Sequence, residues 1–250
     1  MTTNGHALHP GVTRGPHFVV PPAVIGDERI TLSDQDAHHL TNVLRAGPGD
    51  PVSVADGVGT LYQARVTEVG HGVGLAIQQR HEVPAPQPQL RVVVGTTKAK
   101  KLDETVRQLT ELGVDRIAPV VTARSESRPS AESADRAVDR WRGVAHAAAK
   151  QSRRAYLPAV EPVHAWEDAF ADDAGLVCWE EASVPITEVA PQHATRPVVT
   201  LALGPEGGLR RDEVAASGLR PVALGDTILR AETAAVAAAA ISLALLGRLA

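Results

Sequence analysis

The chain has 250 residues, a length for one large domain or two small ones. Hydrophobic residues make up 44%, aromatics only 3% and charged residues 22%, so an aliphatic, Ala-rich core is available and disorder of the whole chain is excluded. The net charge of −4 argues against a generic nucleic-acid coat, and no run of about 18 apolar residues is present to span a membrane.

Met1 to Gly15 is polar, with two His and one Arg, and lacks the apolar centre of a signal peptide. The expected location is therefore cytoplasmic. One cysteine, Cys178, excludes an intramolecular disulfide and a Cys-cluster metal site. No metal is expected.

Ser33 to Arg45 reads as a short helix, with Ser33 as N-cap and Ala37, Leu40 and Leu44 on one face. Adjacent His38 and His39 point about 100° apart on a helix and cannot easily share an ion, so His39 is read as a packing or RNA contact. Three short strands follow, at 52–55, 62–67 and 73–77. The turns Gly47–Asp50 and Asp56–Gly59 separate the helix and the first two strands. A small barrel with one helix fits this part. Val83 to Gln89 places three prolines at alternate positions and reads as an extended linker.

Beyond the linker, strand and helix signals alternate. Leu90–Val94 is an apolar strand. Leu102, Val106, Leu109 and Leu112 then mark a helix stripe that Gly113 ends. Arg116–Val121 is a strand. Ala134, Val138, Trp141, Val144, Ala145 and Ala148 form a second stripe, with Trp141 in the core. Leu176–Trp179, Val198–Leu203 and Pro221–Leu224 are strands, and Thr233–Leu249 is the final helix. Cys178, placed mid-strand, is expected buried and inert. This alternation predicts an α/β fold whose mainly parallel sheet is covered on both faces. Ligands of such sheets bind beyond the carboxyl ends of the strands, which directs attention to the loops after Val94, Trp179, Leu203 and Leu224.

Charge is uneven along the chain. Residues 91–154 carry a net +6 and residues 155–218 a net −8. Of only four lysines, Lys98, Lys100 and Lys101 fall within four residues, and Lys150 lies close to Arg153 and Arg154. These two clusters are candidate phosphate contacts.

Two loops carry the strongest chemical signal. After Leu203 comes Gly204-Pro-Glu-Gly-Gly208, a tight loop with exposed backbone groups that matches neither a Walker A loop nor a Rossmann fingerprint. After Leu224 comes Gly225-Asp-Thr-Ile-Leu-Arg-Ala-Glu-Thr-Ala234. It sets Ile228 and Leu229 in a loop, where they need a ligand or partner to cover them. Arg230 and Glu232 flank the start of the last helix, which Thr233 could help to cap.

Together these loops resemble the RsmE family of 16S ribosomal RNA uracil-N3 methyltransferases. The resemblance rests on Leu203–Leu209 with Glu213 following, and on Leu224-Gly225 followed by Ile228-Leu-Arg-x-Glu-Thr-Ala. It extends to Lys101, Thr105 and Thr110–Val114, to Gln151-Ser152, Arg154 and Pro158, and to His39-Leu40, Val43–Arg45 and Gly47-x-Gly-Asp50. It covers roughly residues 17–248 in the family's own order. Gln108, Lys150 and Ala231 depart from common family residues; the first two alter charge at the expected RNA face.

The resemblance implies a SPOUT methyltransferase domain over 90–250, with a C-terminal trefoil knot. It implies a PUA-like barrel over 17–83, a linker at 84–89 and a mobile extension at 1–16. It also implies a homodimer that binds S-adenosylmethionine and modifies 16S rRNA in the small ribosomal subunit, at uridine 1498 in the family's target. The implied cofactor residues are Leu203, Gly204, Pro205, Glu206, Gly207, Gly208, Leu224, Gly225, Ile228, Leu229, Arg230, Thr233 and Ala234. The implied RNA contacts are Arg45, Lys98, Lys100, Lys101, Arg124, Lys150, Arg153 and Arg154. Uracil N3 carries a proton, so methylation needs a base to remove it or a cation to stabilise the anion. Arg154 is the first candidate cation and Arg230 the second. Glu206 and Glu232 are candidate bases or loop-holding residues. A related enzyme acting on a ribose 2′-OH or a transfer RNA base, and a non-catalytic ribosome-assembly protein, stay open as alternatives.

Overall fold

The computed structural model describes residues 11–249 apart from Arg14, Gly70, His71, Lys98, Ser127 and 171–173. It divides into two compact units, one of residues 1–85 with 149–157, the other of residues 86–148 with 158–250.

The first unit holds β1 (His17–Val19), β2 (Arg29–Thr31), α1 (Asp34–His38), β3 (Pro51–Ala55), β4 (Thr60–Val69) and β5 (Val73–Glu82). Its sheet runs in the order β1-β3-β4-β5-β2, parallel only between β1 and β3. Among the described residues no pairing joins β1 to β2, so the sheet is not a closed barrel. Register shifts in β4 at Gln63/Ala64 and Val66/Glu68 mark bulges, which bend a strand. The period of two sends Val52, Val54, Tyr62, Ala64, Val66, Val73 and Leu75 into one core with Phe18 and Ile30. β1 and β2 escaped the sequence pattern because three residues carry too little alternation to read.

Ser33 caps α1, its hydroxyl accepting the Asp36 amide at 3.2 Å. The expected helix does not continue regularly to Arg45. A π-turn spans His39–Val43, with the Leu44 amide donating to His39 O. The wider turn rotates Leu44 off the buried face, so Leu40 is buried and Leu44 exposed. His39 stands edge-on to the Phe18 ring at 6.4 Å.

The second unit is a seven-stranded, all-parallel sheet ordered β12-β10-β11-β6-β7-β8, with β9 also on β7. Its elements are β6 (Gln89–Gly95), α2 (Ala99–Leu112), β7 (Arg116–Val121), α3 (Ala131–Ser152), β8 (Ala159–Val160), β9 (His164–Ala165), β10 (Gly175–Cys178), α4 (Ile186–Val189), β11 (Val198–Leu203), α5 (Arg211–Ala216), β12 (Arg220–Val222) and α6 (Ala231–Leu245). The last four residues of α3 belong to the first unit.

Alternate residues of β6 enter opposite cores. Leu90, Val92 and Val94 face α2, α3 and α6, while Val93 packs with Trp166, Leu209 and Val214. The helix stripes behave as expected. Leu102, Val106 and Leu109 are buried, and Gly113 ends α2 at φ +102. Trp141 is buried, its Nε1 donating to Asp103 at 2.9 Å. Alanines at 235, 238 and 239 bring α6 close to the sheet. α6 starts at Ala231, earlier than expected. Arg230 is its extended N-cap residue, and Thr233 is exposed within the first turn.

Strand order reverses between β6 and β11. The chain leaves β6 toward β7 on one side and later fills β10, β11 and β12 on the other. Crevices at the carboxyl ends beside such a reversal are where these sheets hold ligands.

Candidate functional site

The loop after β11 is shaped by three close approaches. A Cβ on Gly204 would stand 2.8 Å from Leu209 Cγ, and one on Gly207 would stand 2.9 Å from Arg124 Cβ and 3.0 Å from the Arg124 carbonyl. Gly208 adopts φ +71 and closes a turn through its amide to Pro205 O at 2.9 Å. Beneath the loop, a Cβ on Gly95 at the end of β6 would meet Pro205 N at 2.5 Å.

The loop after β12 begins with Ala223, whose amide donates to Val184 O and whose carbonyl accepts the Ile186 amide. Gly225 follows at φ +154. Ile228 is 93% exposed. Arg230 then turns the chain into α6.

Both loops line one cavity of about 620 Å³, within the range of small-molecule sites. Every residue expected to hold the cofactor lines it except Thr233. Its other wall was missed from the sequence. Cys178, Trp179, Glu180 and Ala182 come from the end of β10 and the loop after it. The strand-end rule had pointed to that loop, but no residue type in it carries a recognisable pattern. Asp226 and Lys101 also line the cavity. Cys178 is the last residue of β10 rather than a mid-strand one, and it is half-buried on the cavity wall rather than fully buried; desolvation pushes its thiol up to about 12.

Lys101 ties the two loops. Its Nζ donates to Glu206 Oε1 at 3.0 Å and lies 3.8 Å from Glu232 Oε1. The hydrogen bond to Glu206 pushes the ammonium above the usual lysine range. Two polar atoms beside this arrangement, Trp179 Nε1 and Glu232 Oε2, are buried without a partner among the described residues. Glu180 and Asp226 are exposed carboxylates at the cavity rim without a partner among the described residues. The walls thus combine backbone groups, apolar side chains, an unused indole donor and unpaired carboxylates. That set suits a ligand with an apolar ring system and a positive charge.

The residues expected to touch RNA separate into different settings. Arg45 and Lys100 are exposed, Arg45 at φ +57. Lys98 lies outside the described residues. Lys101 belongs to the cavity. Arg124 Nη1 donates to Gly207 O at 3.1 Å. Lys150 pairs with Asp36 at 2.6 Å and lies 4.9 Å from the Phe18 ring centre. Arg153, at φ +56, donates to the carbonyls of Thr13 and Gly15. Arg154 is half-buried in the segment that belongs to the first unit, and the cavity lining includes Arg230 but not Arg154. Among the described residues no group of three metal-ligating side chains forms, and no helix is long and apolar enough to cross a membrane.

Comparison with known proteins gives a consistent result. Residues 84–243 match the model of an RNA methyltransferase domain, and residues 32–72 that of an RNA methyltransferase PUA domain. The ribosomal RNA small subunit methyltransferase E of Synechocystis sp. is 32% identical over 235 residues, covering 89% of this chain and 75% of its own. The protein of the same name from Mycobacterium tuberculosis is 34% identical over 219 residues, covering 83% of each chain. The crystal structure of the Neisseria gonorrhoeae ribosomal RNA small subunit methyltransferase E bound to S-adenosyl methionine is 26% identical. It superposes at a TM-score of 0.82 over 93% of this chain and 98% of that one.

Proposed function

The chain belongs to the ribosomal RNA small subunit methyltransferase E family, and on that premise we propose that it methylates N3 of one uridine of 16S ribosomal RNA in the small ribosomal subunit, with S-adenosylmethionine held in the cavity between the two glycine-bearing loops. The observation that carries this reading is the cavity itself. The carboxylates of Glu180 and Asp226 at its rim suit a cationic ligand, and its apolar walls at Leu203, Leu224 and Leu229 suit an adenine ring. When bound, the cofactor supplies an electrophilic methyl group on a positively charged sulfur.

The chain's own residues have three tasks. The loops position the reactants for in-line displacement, from which much of the rate derives. Uracil N3 releases its proton to solvent water, and Arg230, on the cavity wall, stabilises the anion that remains. Arg154, the first candidate from the sequence, contacts the RNA substrate. Glu206 and Glu232 hold the loops through Lys101, a role their geometry supports better than proton removal. Arg45 and Lys100 contact RNA phosphates, and the PUA unit contributes to the grip on RNA. The C-terminal part is threaded as a trefoil knot, and the active form is a cytoplasmic homodimer in which exposed Ile228 is covered by ligand or partner.

The test is methyl transfer from labelled S-adenosylmethionine to small subunits from cells lacking the protein, followed by mass spectrometry of the nucleosides. The expected product is N3-methyluridine. A 2′-O-methylated nucleoside, or cofactor binding without transfer, overturns the assignment of target or of activity. Light scattering on the pure chain is expected to give the dimer mass.

A further inference from the structure

Behind the loop 204–208, away from the residues that line the cavity, a second piece of chain holds it in place. After β7 the backbone turns through Thr122–Ser125. This turn is locked by the Thr122 amide donating to Ser125 Oγ at 3.0 Å and by the Ser125 amide donating to Thr122 O at 3.3 Å. It abuts Gly207 so closely that a Cβ there would meet both the side chain and the carbonyl of Arg124. Arg124 Nη1 completes the contact by donating to Gly207 O.

One carboxylate fixes this turn. Glu213, only 9% exposed, accepts the Ala123 amide on Oε1 at 2.7 Å and the Arg210 amide on Oε2 at 2.9 Å. Its own carbonyl accepts Trp166 Nε1 at 2.8 Å. The Arg210 contact is the carboxylate half of a capping box at the start of α5, the N3 side chain accepting the N-cap amide; the arginine N-cap has no acceptor to return the bond. The Ala123 contact does nothing for α5. It reaches across 90 residues of sequence to the turn that walls the cavity loop.

From this geometry we infer that Glu213 is a positioning residue for the cofactor: by taking one amide on each oxygen it fixes turn 122–125 against Gly207 and so sets the shape of the loop that lines the cavity. Only a carboxylate does this. Two N–H donors converge on it, one per oxygen, and a glutamine of the same shape would present its NH₂ to one of them. The Asp side chain is one methylene too short to span both. The inference rests on the reading of the cavity as the S-adenosylmethionine site.

The test uses the purified full chain and calorimetric titration with S-adenosylmethionine, for wild type, Glu213→Gln and Arg124→Ala. Steady-state kinetics on small subunits and thermal melts accompany it. The expected result for Glu213→Gln is a rise of about tenfold in cofactor Kd and KM, with kcat and the KM for subunits within about twofold, since a buried amide loses its acceptor. Arg124→Ala is expected to raise the cofactor Kd about threefold. A Glu213→Gln variant that melts earlier yet binds cofactor like wild type overturns the inference and leaves Glu213 a helix cap only. If Glu213→Gln does not fold, Arg124→Ala decides, and unchanged cofactor affinity there overturns the coupling. Wild type that fails to bind the cofactor defeats the cofactor reading itself, a result separable from either variant's.

Discussion

Two regions were singled out by different signals, basic charge in one and glycine-bearing loops in the other, and the fold uses their polar groups differently. In the segment 150–154 the fold takes up at least two of the three basic side chains. Lys150 is held by Asp36 and Phe18, and Arg153 by the carbonyls of Thr13 and Gly15. In the cavity region the polar groups converge, yet two buried atoms, Trp179 Nε1 and Glu232 Oε2, have no partner among the described residues. Basic density along a sequence does not distinguish a phosphate contact from an internal ion pair. Unspent hydrogen-bonding capacity at the carboxyl ends of parallel strands is the better sign of a ligand site.

The largest expected effect sharpens the first half of that contrast. His17 is buried, hydrogen-bonded to Ser53 Oγ at 2.9 Å, and lowered to about 4 by burial and then by the Arg153 and Lys150 charges. Above pH 6.5 the imidazole is neutral folded and unfolded, so its stability contribution is fully present. As pH falls from 6.5 to about 4 the unfolded chain takes up a proton that the folded one refuses, and about 3 kcal/mol is lost. The stability difference between wild type and His17→Gln, followed by urea unfolding from pH 7 to pH 4, is expected to shrink by that amount. Parallel pH profiles would mean that neither burial nor the neighbouring Arg153 and Lys150 charges lower His17.

Next comes Gly207→Val, on the cavity side. The added carbons meet the Arg124 backbone and side chain, so the loop must move. Cofactor affinity is expected to fall about 100-fold, roughly 2.7 kcal/mol, while far-ultraviolet circular dichroism stays native. Unchanged affinity in a folded variant would separate the loop from the cofactor. Lys150→Ala is expected to cost about 2 kcal/mol of first-unit stability, through unpaired Asp36 and the lost ring contact, with no change in the salt dependence of RNA binding. A shallower salt slope at unchanged stability would return Lys150 to the RNA face.

The same contrast explains what was legible beforehand. The alternating elements of the second unit were readable because long parallel strands and amphipathic helices repeat a strong period, as in Leu90–Val94 and Leu102–Leu109. The glycine loops were readable because Gly and Pro at strand ends leave few other uses. The short strands β1 and β2 were not, nor was the break at His39, where the choice between α- and π-turn depends on packing around Leu40. The third cavity wall was hidden because Cys178, Trp179 and Glu180 are brought to the loops by strand order, not by sequence proximity. The family resemblance implies Thr233 as a cofactor residue, and the early start of α6 turns it to solvent.

The smallest expected effect divides two neighbours that sequence treated as one cluster. Lys100 is exposed, while Lys101 spans the cavity loops to Glu206 and Glu232. Part-exposed ion pairs contribute at most about 1 kcal/mol, so Lys101→Ala is expected to weaken cofactor binding up to about fivefold and to leave the salt slope of RNA binding unchanged. Lys100→Ala is expected to do the reverse, lowering the slope by about one released counterion with cofactor affinity intact. If Lys101→Ala altered only the slope, its carboxylate contacts would be incidental and the lysine run would act as one RNA-facing patch. The opposing pair of results would place the boundary between substrate face and cofactor cavity between two consecutive side chains of α2. Helix geometry provides for that division, since residues i and i+1 face directions about 100° apart.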